Sequence, residues 1–156
     1  MRGLPPIVAA ESRILILGSF PSQASLTARQ YYGHRQNQFW RMLEGVTGEP
    51  LTQMDYAAKQ AAVLRACLAI WDVYVTCARA GSLDSAIREA SPNDFRSLKK
   101  IAPKLHRVCF NGQEAGKFAP LLAAMGYETF ILPSTSPAYT LAFAAKLAAW
   151  QKALAS

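Results

Sequence analysis

A short stretch near the N-terminus concentrates rings and polar groups behind one glycine. Residues 18–40, GSFPSQASLTARQYYGHRQNQFW, contain six aromatic or imidazole rings together with a run of small hydroxyls. The stretch follows the apolar run RILILG at 13–18, which is short, β-branched and bounded by Gly18, and is therefore predicted to be a buried strand. In open α/β sheets, ligands bind in the crevice outside the carboxyl ends of the strands. These rings and hydroxyls are thus expected to line a binding site.

Two further polar segments are predicted to reach the same edge of the sheet. Thr76 to Ser82 follows a second predicted strand, AIWDVYVT at 69–76, and PSTSPAYT at 133–140 follows YETFILP at 127–133. RVCFNG at 107–112 is predicted to be the remaining strand. Because strands alternate with helices, parallel crossovers are expected, and the three polar segments should form one site.

Helical periodicity predicts the elements between these strands. The predicted helices run from Gln38 to Gly45 or Gly48, from Asp55 to Leu68, from the capping sequence Ser91-Pro92-Asn93-Asp94, from about Gly112 to Met125, and from 141 to 154. The alternation predicts an α/β fold, a three-layer αβα sandwich with a central four-stranded, mainly parallel sheet. At 156 residues, the chain 1–156 is expected to form a single domain.

The charge balance favours a polyanionic partner. There are 17 Lys and Arg residues against 10 Asp and Glu residues, giving a formal net charge of +7, and the isoelectric point is near 9.6. Such a balance indicates nucleic acid, although many basic domains bind none.

Cysteine and hydropathy patterns restrict the other classes. Cys67, Cys77 and Cys109 show no C-x-x-C spacing, and there are two histidines, so no disulfide framework, metal or cofactor is expected. No apolar run of about 18 residues is present, and MRGLPPIVAAES lacks the pattern of a secretory signal. We therefore expect a cytoplasmic protein, associated with the nucleoid in a bacterium, without membrane contact and monomeric.

Five motifs together resemble the uracil-DNA glycosylase superfamily. They are GSFPS, YYGHRQNQFW, LAIWDVYVTC, VCFNG and LPSTSPAYT, and they span most of the chain. The motifs GSFPS and STSPA, with WDV and GSLDSAI between them, are most similar to those of the deoxyinosine (hypoxanthine) DNA glycosylase branch. The resemblance implies a monofunctional enzyme of base excision repair. Such an enzyme hydrolyses the N-glycosidic bond of a damaged base flipped out of double- or single-stranded DNA.

A flipped base must be held by stacking and by hydrogen bonds to its edge. The resemblance places Ser19 and Phe20 in the base pocket. It puts Tyr32 where related glycosylases stack a ring on the base. His34 is expected to donate to base or phosphate, with a plain surface histidine as the alternative. Two further rings lie in a helical stripe and are expected to fill the core: Phe39 and Trp40.

The resemblance assigns the essential amide to Asn37, before the FW element. An amide is no general base at neutral pH, but its oxygen can orient a water and its nitrogen can donate to the leaving base. The alternative is a helix N-cap, and the two roles are compatible. Phe20 stands where mismatch-specific relatives carry asparagine. GSFPS also lacks the aspartate of the fast uracil enzymes of the superfamily, so slower catalysis by positioning is expected. No lysine lies in the five motifs, so a Schiff base and strand nicking are not expected.

Asp72 matches the place where uracil-specific members read the pyrimidine edge with asparagine. A carboxylate only accepts hydrogen bonds, which suits the N1–H donor of hypoxanthine. Asp72 is alternatively a turn cap or a partner of Arg79.

The LPSTSPAYT loop carries hydroxyls and backbone N–H groups between two prolines, which makes it stiff enough to pinch phosphates. Related enzymes use this loop to compress the DNA strand and to fill the vacated stack. Ala138 occupies the wedge position and is small, so Tyr139 is expected to supply bulk. The residues expected to bind DNA are Ser134, Thr135, Ser136 and Tyr139.

Two other functions remain open at this point. One is a uracil-DNA glycosylase or a G:T/G:U mismatch-specific glycosylase of the same fold. The other is a non-catalytic module that binds nucleotides or nucleic acid. Asn37 beside a stacking ring favours catalysis over simple binding, while Asp72 and Ser134 favour a deaminated purine over uracil.

Overall fold

The computed structural model describes residues 1–79 and 84–155. In chain order, its strands and α-helices are β1 (Ile14–Gly18), α1 (Gln23–Ala28), α2 (Phe39–Thr47), α3 (Tyr56–Arg65), β2 (Leu68–Asp72), β3 (Tyr74–Arg79), β4 (Ile87–Pro92), α4 (Leu98–Ile101), β5 (Arg107–Asn111), α5 (Gln113–Gly116), α6 (Ala119–Ala124), β6 (Glu128–Leu132) and α7 (Phe143–Leu154). Short 3-10 helices cover Leu51–Gln53, Asp84–Ala86 and Phe95–Ser97.

The central sheet has the strand order β2-β1-β5-β6, and all of its strand pairs are parallel. Side chains of β1 alternate between two apolar cores, with Ile14 and Ile16 on one face and Leu15 and Leu17 on the other. Helices α2, α3 and α7 cover the first face, and α4, α5 and α6 cover the second. The predicted three-layer α/β sandwich around a four-stranded parallel sheet is therefore confirmed.

The single strand predicted at 69–76 is wrong, because the chain changes partner inside it. β2 leaves the central sheet after Asp72, where Val73 and Tyr74 donate to the carbonyls of Gly18 and Ser19. β3 then pairs antiparallel with β4 in a separate two-stranded sheet. The apolar pattern continues through this break, so periodicity does not reveal it. Thr76 consequently lies within β3 instead of following a strand of the central sheet, and residues 80–82 of the predicted polar segment lie outside the described residues.

Two helix predictions also need correction. Pro92 ends β4 and does not open a helix, while Asp94 caps the 3-10 helix that follows by accepting from the backbone of Arg96. The helix predicted from Gly112 to Met125 is divided into α5 and α6, with Pro120 in the first turn of α6. Proline lacks the N–H that a continuous helix would need there, so the division falls just before it.

The central strands end together at one edge of the sheet. Gly18, Asp72, Asn111 and Leu132 are the last residues of β1, β2, β5 and β6, and each is followed by an irregular segment or a short helix. Within the described ranges, no helix has both the length and the apolar character needed to cross a membrane.

Candidate active site

A cavity of about 490 Å³ opens at this edge of the sheet. It is lined by residues from the ends of β1, β2 and β5 and from the loop after β6. The structure brings together every residue that the sequence singled out for the site: Ser19, Phe20, Tyr32, His34, Asn37, Asp72, Ser134, Thr135, Ser136 and Tyr139. The cavity also has lining residues that the sequence analysis did not single out, notably Asp84 and Asn111.

One side of the cavity, formed by Asn37, Asn111 and Thr135, is called here the amide side. Asn37 Oδ1 accepts from the backbone N–H of Phe39 at 3.0 Å and from Thr135 Oγ1 at 2.8 Å. Because a backbone N–H can only donate, the Asn37 atom that it meets is the oxygen. Both lone pairs of that oxygen are engaged, so the expectation that it orients a water is not met. The Nδ2 group remains as the donor that Asn37 can offer.

Thr135 joins the two asparagines. Its backbone N–H donates to Asn111 Oδ1 at 2.9 Å, and Asn111 Nδ2 donates to Thr135 Oγ1 at 3.0 Å. The threonine hydroxyl in turn donates to Asn37 Oδ1, so the three side chains form a chain of hydrogen bonds that all run from Asn111 toward Asn37. Thr135 is 0% exposed. Its polar groups are therefore used inside the protein, away from the surface where DNA was expected to meet them.

A second group of lining residues, Tyr32, Asp72 and Asp84, is called here the carboxyl side. Asp72 is 4% exposed, and within residues 1–79 and 84–155 neither its Oδ2 atom nor the Tyr32 hydroxyl makes a hydrogen bond of standard geometry. Both groups lie against Gly18, where an added Cβ would come within 2.6 Å of Asp72 Oδ1 and 2.7 Å of the Tyr32 hydroxyl. A side chain at position 18 would therefore displace one of them. Unpartnered buried polar atoms are rare and need an explanation.

Burial and, to a lesser extent, the negative charge of Asp84 together raise the pKa of Asp72 to about 7, against an opposing effect of Arg79. Burial likewise raises the pKa of Asp84, whose Oδ1 accepts from Ser19 Oγ at 2.6 Å. The carboxyl side therefore holds two acids that disfavour simultaneous ionisation. Near neutral pH, Asp72 exists in both protonation states.

The aromatic residues form a rigid support. The Tyr32 ring stacks on Phe39 with centroids 3.8 Å apart and planes inclined by 13°, and Phe39 meets Trp40 and Trp150 edge to face. Phe39 and Trp40 lie in the core as expected. Tyr32 has a φ of 55°, a left-handed conformation uncommon for a ring-bearing residue. One face of the Tyr32 ring is covered by Phe39, so a ligand can stack on the other face alone.

The loop at residues 133–139, called here the rim loop, is folded by its own short contacts. The backbone N–H of Ser136 donates to Ser134 Oγ, and that of Ala138 donates to Ser136 Oγ. Tyr139 is 47% exposed at its end. Across the opening, the exposed His34 accepts from the backbone of Gln36 through Nδ1.

Asn111 and Asp84 were missed for different reasons. Asn111 ends the predicted strand RVCFNG, so its place at the sheet edge was a usable signal. Asp84 follows the departure of β3 from the central sheet, and no local pattern indicates that the chain returns to the cavity. Among the described residues, no group of three or more His, Cys, Asp or Glu is placed to hold a metal ion.

Comparison with known proteins gives concordant results. A family model described as the Uracil DNA glycosylase superfamily matches residues 5–155. A hypoxanthine DNA glycosylase of Methanosarcina acetivorans is 45% identical over 137 residues, covering 88% of this chain and 87% of that protein. A hypoxanthine DNA glycosylase of Methanosarcina barkeri is 40% identical over 152 residues, covering 97% and 96%.

A solved structure matches over almost the whole fold. It is the solution NMR structure of a candidate uracil DNA glycosylase from Methanosarcina acetivorans, with a TM-score of 0.90 and 41% identity. The match covers 98% of this chain and 95% of that one.

Proposed function

The chain belongs to the uracil DNA glycosylase superfamily, and from this premise we propose that it removes hypoxanthine from deoxyinosine in DNA by hydrolysing the N-glycosidic bond. The observation that carries the proposal is the Asn37 amide. Its oxygen is held by two donors of the protein, and its Nδ2 group is left for a ligand in the cavity. The relatives named hypoxanthine DNA glycosylase match over 88% and 97% of this chain.

In the proposed reaction, the bond between C1′ of the sugar and N9 of the base breaks, and its electron pair leaves with the base. Water adds to C1′ and loses a proton, while a proton is taken up by the departing base. The sugar becomes oxocarbenium-like and the base becomes anionic in the transition state, so a donor aimed at the base stabilises the charge that develops. Asn37 Nδ2 is the proposed donor.

The amide side supports this role electrostatically. Each donor in the chain from Asn111 through Thr135 to Asn37 polarises the next group, and a buried chain strengthens its terminal donor. The protein also fixes the direction of the Asn37 amide before the substrate arrives. We therefore propose that Thr135 and Asn111 position Asn37, and that Thr135, which is 0% exposed, acts inside the protein and does not contact DNA.

The carboxyl side is proposed to read the base. The unpartnered Oδ2 of an ionised Asp72 can accept from the N1–H of hypoxanthine, a donor that adenine lacks at that position. The free face of Tyr32 is proposed to stack on the base, with Ser19 and Phe20 completing the pocket and His34 at its opening.

DNA is the proposed partner at the rim of the cavity. The hydroxyl groups of Ser134 and Ser136 and the exposed ring of Tyr139 lie where a strand would pass, and the net charge of +7 favours phosphate binding. We propose that the chain acts as a single glycosylase domain and as a monomer.

The test is base release from duplexes carrying one hypoxanthine, uracil, xanthine, or thymine opposite guanine. Abasic sites are revealed by alkaline cleavage, with no metal added. We expect hypoxanthine release at the highest single-turnover rate. Preferential release of uracil or mismatched thymine would support the alternative glycosylase activity, and binding without release of any base would favour the non-catalytic module.

A further inference from the structure

A lysine that lies in none of the five motifs is buried beside the candidate site. Lys146, on α7, is 1% exposed. Its Nζ atom donates to Gln38 Oε1 at 3.0 Å and to the carbonyl oxygen of Ser136 at 3.4 Å. The same Nζ atom lies 5.2 Å from the centroid of the Tyr139 ring. One ammonium group thus reaches the residue next to Asn37, the middle of the rim loop and its terminal ring.

The ammonium is held without a carboxylate. In residues 1–79 and 84–155, no Asp or Glu forms an ion pair with Lys146, and burial lowers the pKa of its ammonium. Taking an ammonium out of water is unfavourable unless oxygens or rings replace the water. A residue needed for apolar packing alone would not require that charge.

A second donor on the same face of α7 repeats the contact. Trp150, four residues further on, donates through Nε1 to the carbonyl oxygen of Pro133 at 2.9 Å. Residues four apart on a helix lie one above the other, so α7 presents two donors in line to the rim loop. The backbone N–H of Gln38 meanwhile donates to the carbonyl oxygen of Thr135 at 3.0 Å. The rim loop is therefore fastened to α7 and to the start of α2.

We propose that Lys146 is a positioning residue that holds the rim loop and the Asn37–Gln38 segment in one fixed arrangement, a role that rests on the proposed glycosylase function. Lys146 does not line the cavity, so it acts through its neighbours. Its contact with Gln38 fixes the backbone on which Asn37 sits, and its contact with Ser136 fixes the loop that carries Thr135. When both contacts are lost, the donor of Asn37 no longer has a set direction.

The experiment compares Lys146→Met with Lys152→Met. Both variants remove one positive charge from α7, but Lys152 is exposed and makes none of these contacts. A displacement of about 1 Å at a reacting group can cost about 100-fold in rate, so we expect Lys146→Met to lose at least about tenfold in single-turnover base release. Affinity for an uncleavable duplex with a tetrahydrofuran abasic site should change less than the rate. Lys152→Met should match the wild-type rate.

A readout that does not depend on catalysis accompanies the rates. Amide hydrogen exchange should become faster at residues 134–139 in Lys146→Met and stay unchanged in Lys152→Met. If Lys146→Met does not fold, Gln38→Ala removes one of the two contacts while leaving the buried lysine in place. That variant should lower the rate in the same direction.

The outcomes separate the two proposals. A wild-type protein inactive on deoxyinosine contradicts the proposed function, whereas the exchange at 134–139 still tests Lys146. Unchanged exchange in Lys146→Met, or wild-type rates in both Lys146→Met and Gln38→Ala, would overturn the positioning role. Equal losses in Lys146→Met and Lys152→Met would assign the effect to net charge and overturn it as well.

Discussion

The two sides of the cavity differ in how completely their polar groups are satisfied. On the amide side, both oxygens of the asparagines and the hydroxyl of Thr135 are hydrogen-bonded within the protein. On the carboxyl side, the buried atoms Asp72 Oδ2 and the Tyr32 hydroxyl make no hydrogen bond of standard geometry within the described part of the chain.

The difference indicates a division of labour. A satisfied network is rigid and sets the direction of a catalytic donor before the substrate binds. An unsatisfied buried group is unfavourable in the empty protein, and this cost falls when a ligand supplies the missing partner. We therefore propose that the amide side sets the geometry of catalysis and that the carboxyl side recognises the base. Each of the following experiments tests that contrast.

The largest expected effect is on stability and concerns the carboxyl side. The pKa of Asp72 in the folded protein, about 7, lies above that of an unfolded aspartate, about 3.9. The folded protein therefore binds more protons than the unfolded chain in this window, and the free energy of unfolding falls as pH rises toward 7. The unfolding free energy of the wild type should therefore fall by about 3 kcal/mol between pH 5 and pH 8 relative to that of Asp72→Asn, whose amide does not titrate. Urea unfolding of both proteins at pH 5 and pH 8 measures this change. If the unfolding free energies of wild type and Asp72→Asn depend on pH in the same way, Asp72 has an ordinary pKa.

The next effect separates the two uses of Asn37. Asn37→Asp keeps oxygens that can accept from Phe39 and Thr135 but loses the Nδ2 donor, whereas Asn37→Ala loses both. We expect Asn37→Asp to lower single-turnover release by about 100-fold, or about 2.7 kcal/mol, with little change in melting temperature. Asn37→Ala should lose similar activity and also about 1 kcal/mol of stability, because the Phe39 N–H in the first turn of α2 loses its acceptor. Wild-type activity in Asn37→Asp would leave Asn37 with a structural role only.

A smaller effect is expected within the network. Thr135→Val keeps the shape of the side chain but removes the hydroxyl between the two asparagines, leaving an Asn111 donor unpaired. The expected cost is about 1–3 kcal/mol in unfolding free energy and about tenfold in rate. Thr135→Ser retains the hydroxyl and is the matched control. If the valine and serine variants behave alike, the chain of hydrogen bonds does not matter for catalysis.

The smallest effect concerns base selectivity. In Asp72→Asn, the amide can turn its oxygen toward the N1–H of hypoxanthine, so part of the activity on deoxyinosine should remain. The amide also offers a donor for O4 of uracil, so the ratio of deoxyinosine to deoxyuridine rates should fall by about fivefold. Single-turnover rates on both duplexes give the ratio. An unchanged ratio would place purine selectivity elsewhere in the pocket.

The fold was predictable where local pattern and pairing agree. RILILG is β1 within one residue of its predicted start, and the polar segments after the first and last strands of the sheet both reach the cavity. Prediction failed at Val73, where one apolar run serves two different sheets. Strand partners are chosen by tertiary packing, and the same local sequence satisfies either partner.

The sequence predicted which residues line the candidate site better than it predicted what each of them does there. Asn37 was singled out, but which of its atoms is available depends on Thr135, and that contact depends on how two distant segments pack. Asp84 depends on the path of β3 and β4, and Lys146 on the register of α7 against the rim loop. Spacing along the chain contains none of this information.

The contacts around Asn37 also bear on the order in which the protein assembles. Thr135 is separated from Asn37 by 98 residues, and Lys146 from Gln38 by 108. Closing such long loops has an entropic cost that local contacts do not have. We therefore expect the contacts of Asn37 with Thr135 and of Gln38 with Lys146 to form late in folding. A nascent chain that has exposed β1, α2 and β2 but not yet α7 contains Asn37 without its partners. If Asn37 and Lys146 act as proposed, base removal requires the docking of α7, and a chain without α7 would present the Asn37 amide to DNA in no fixed direction.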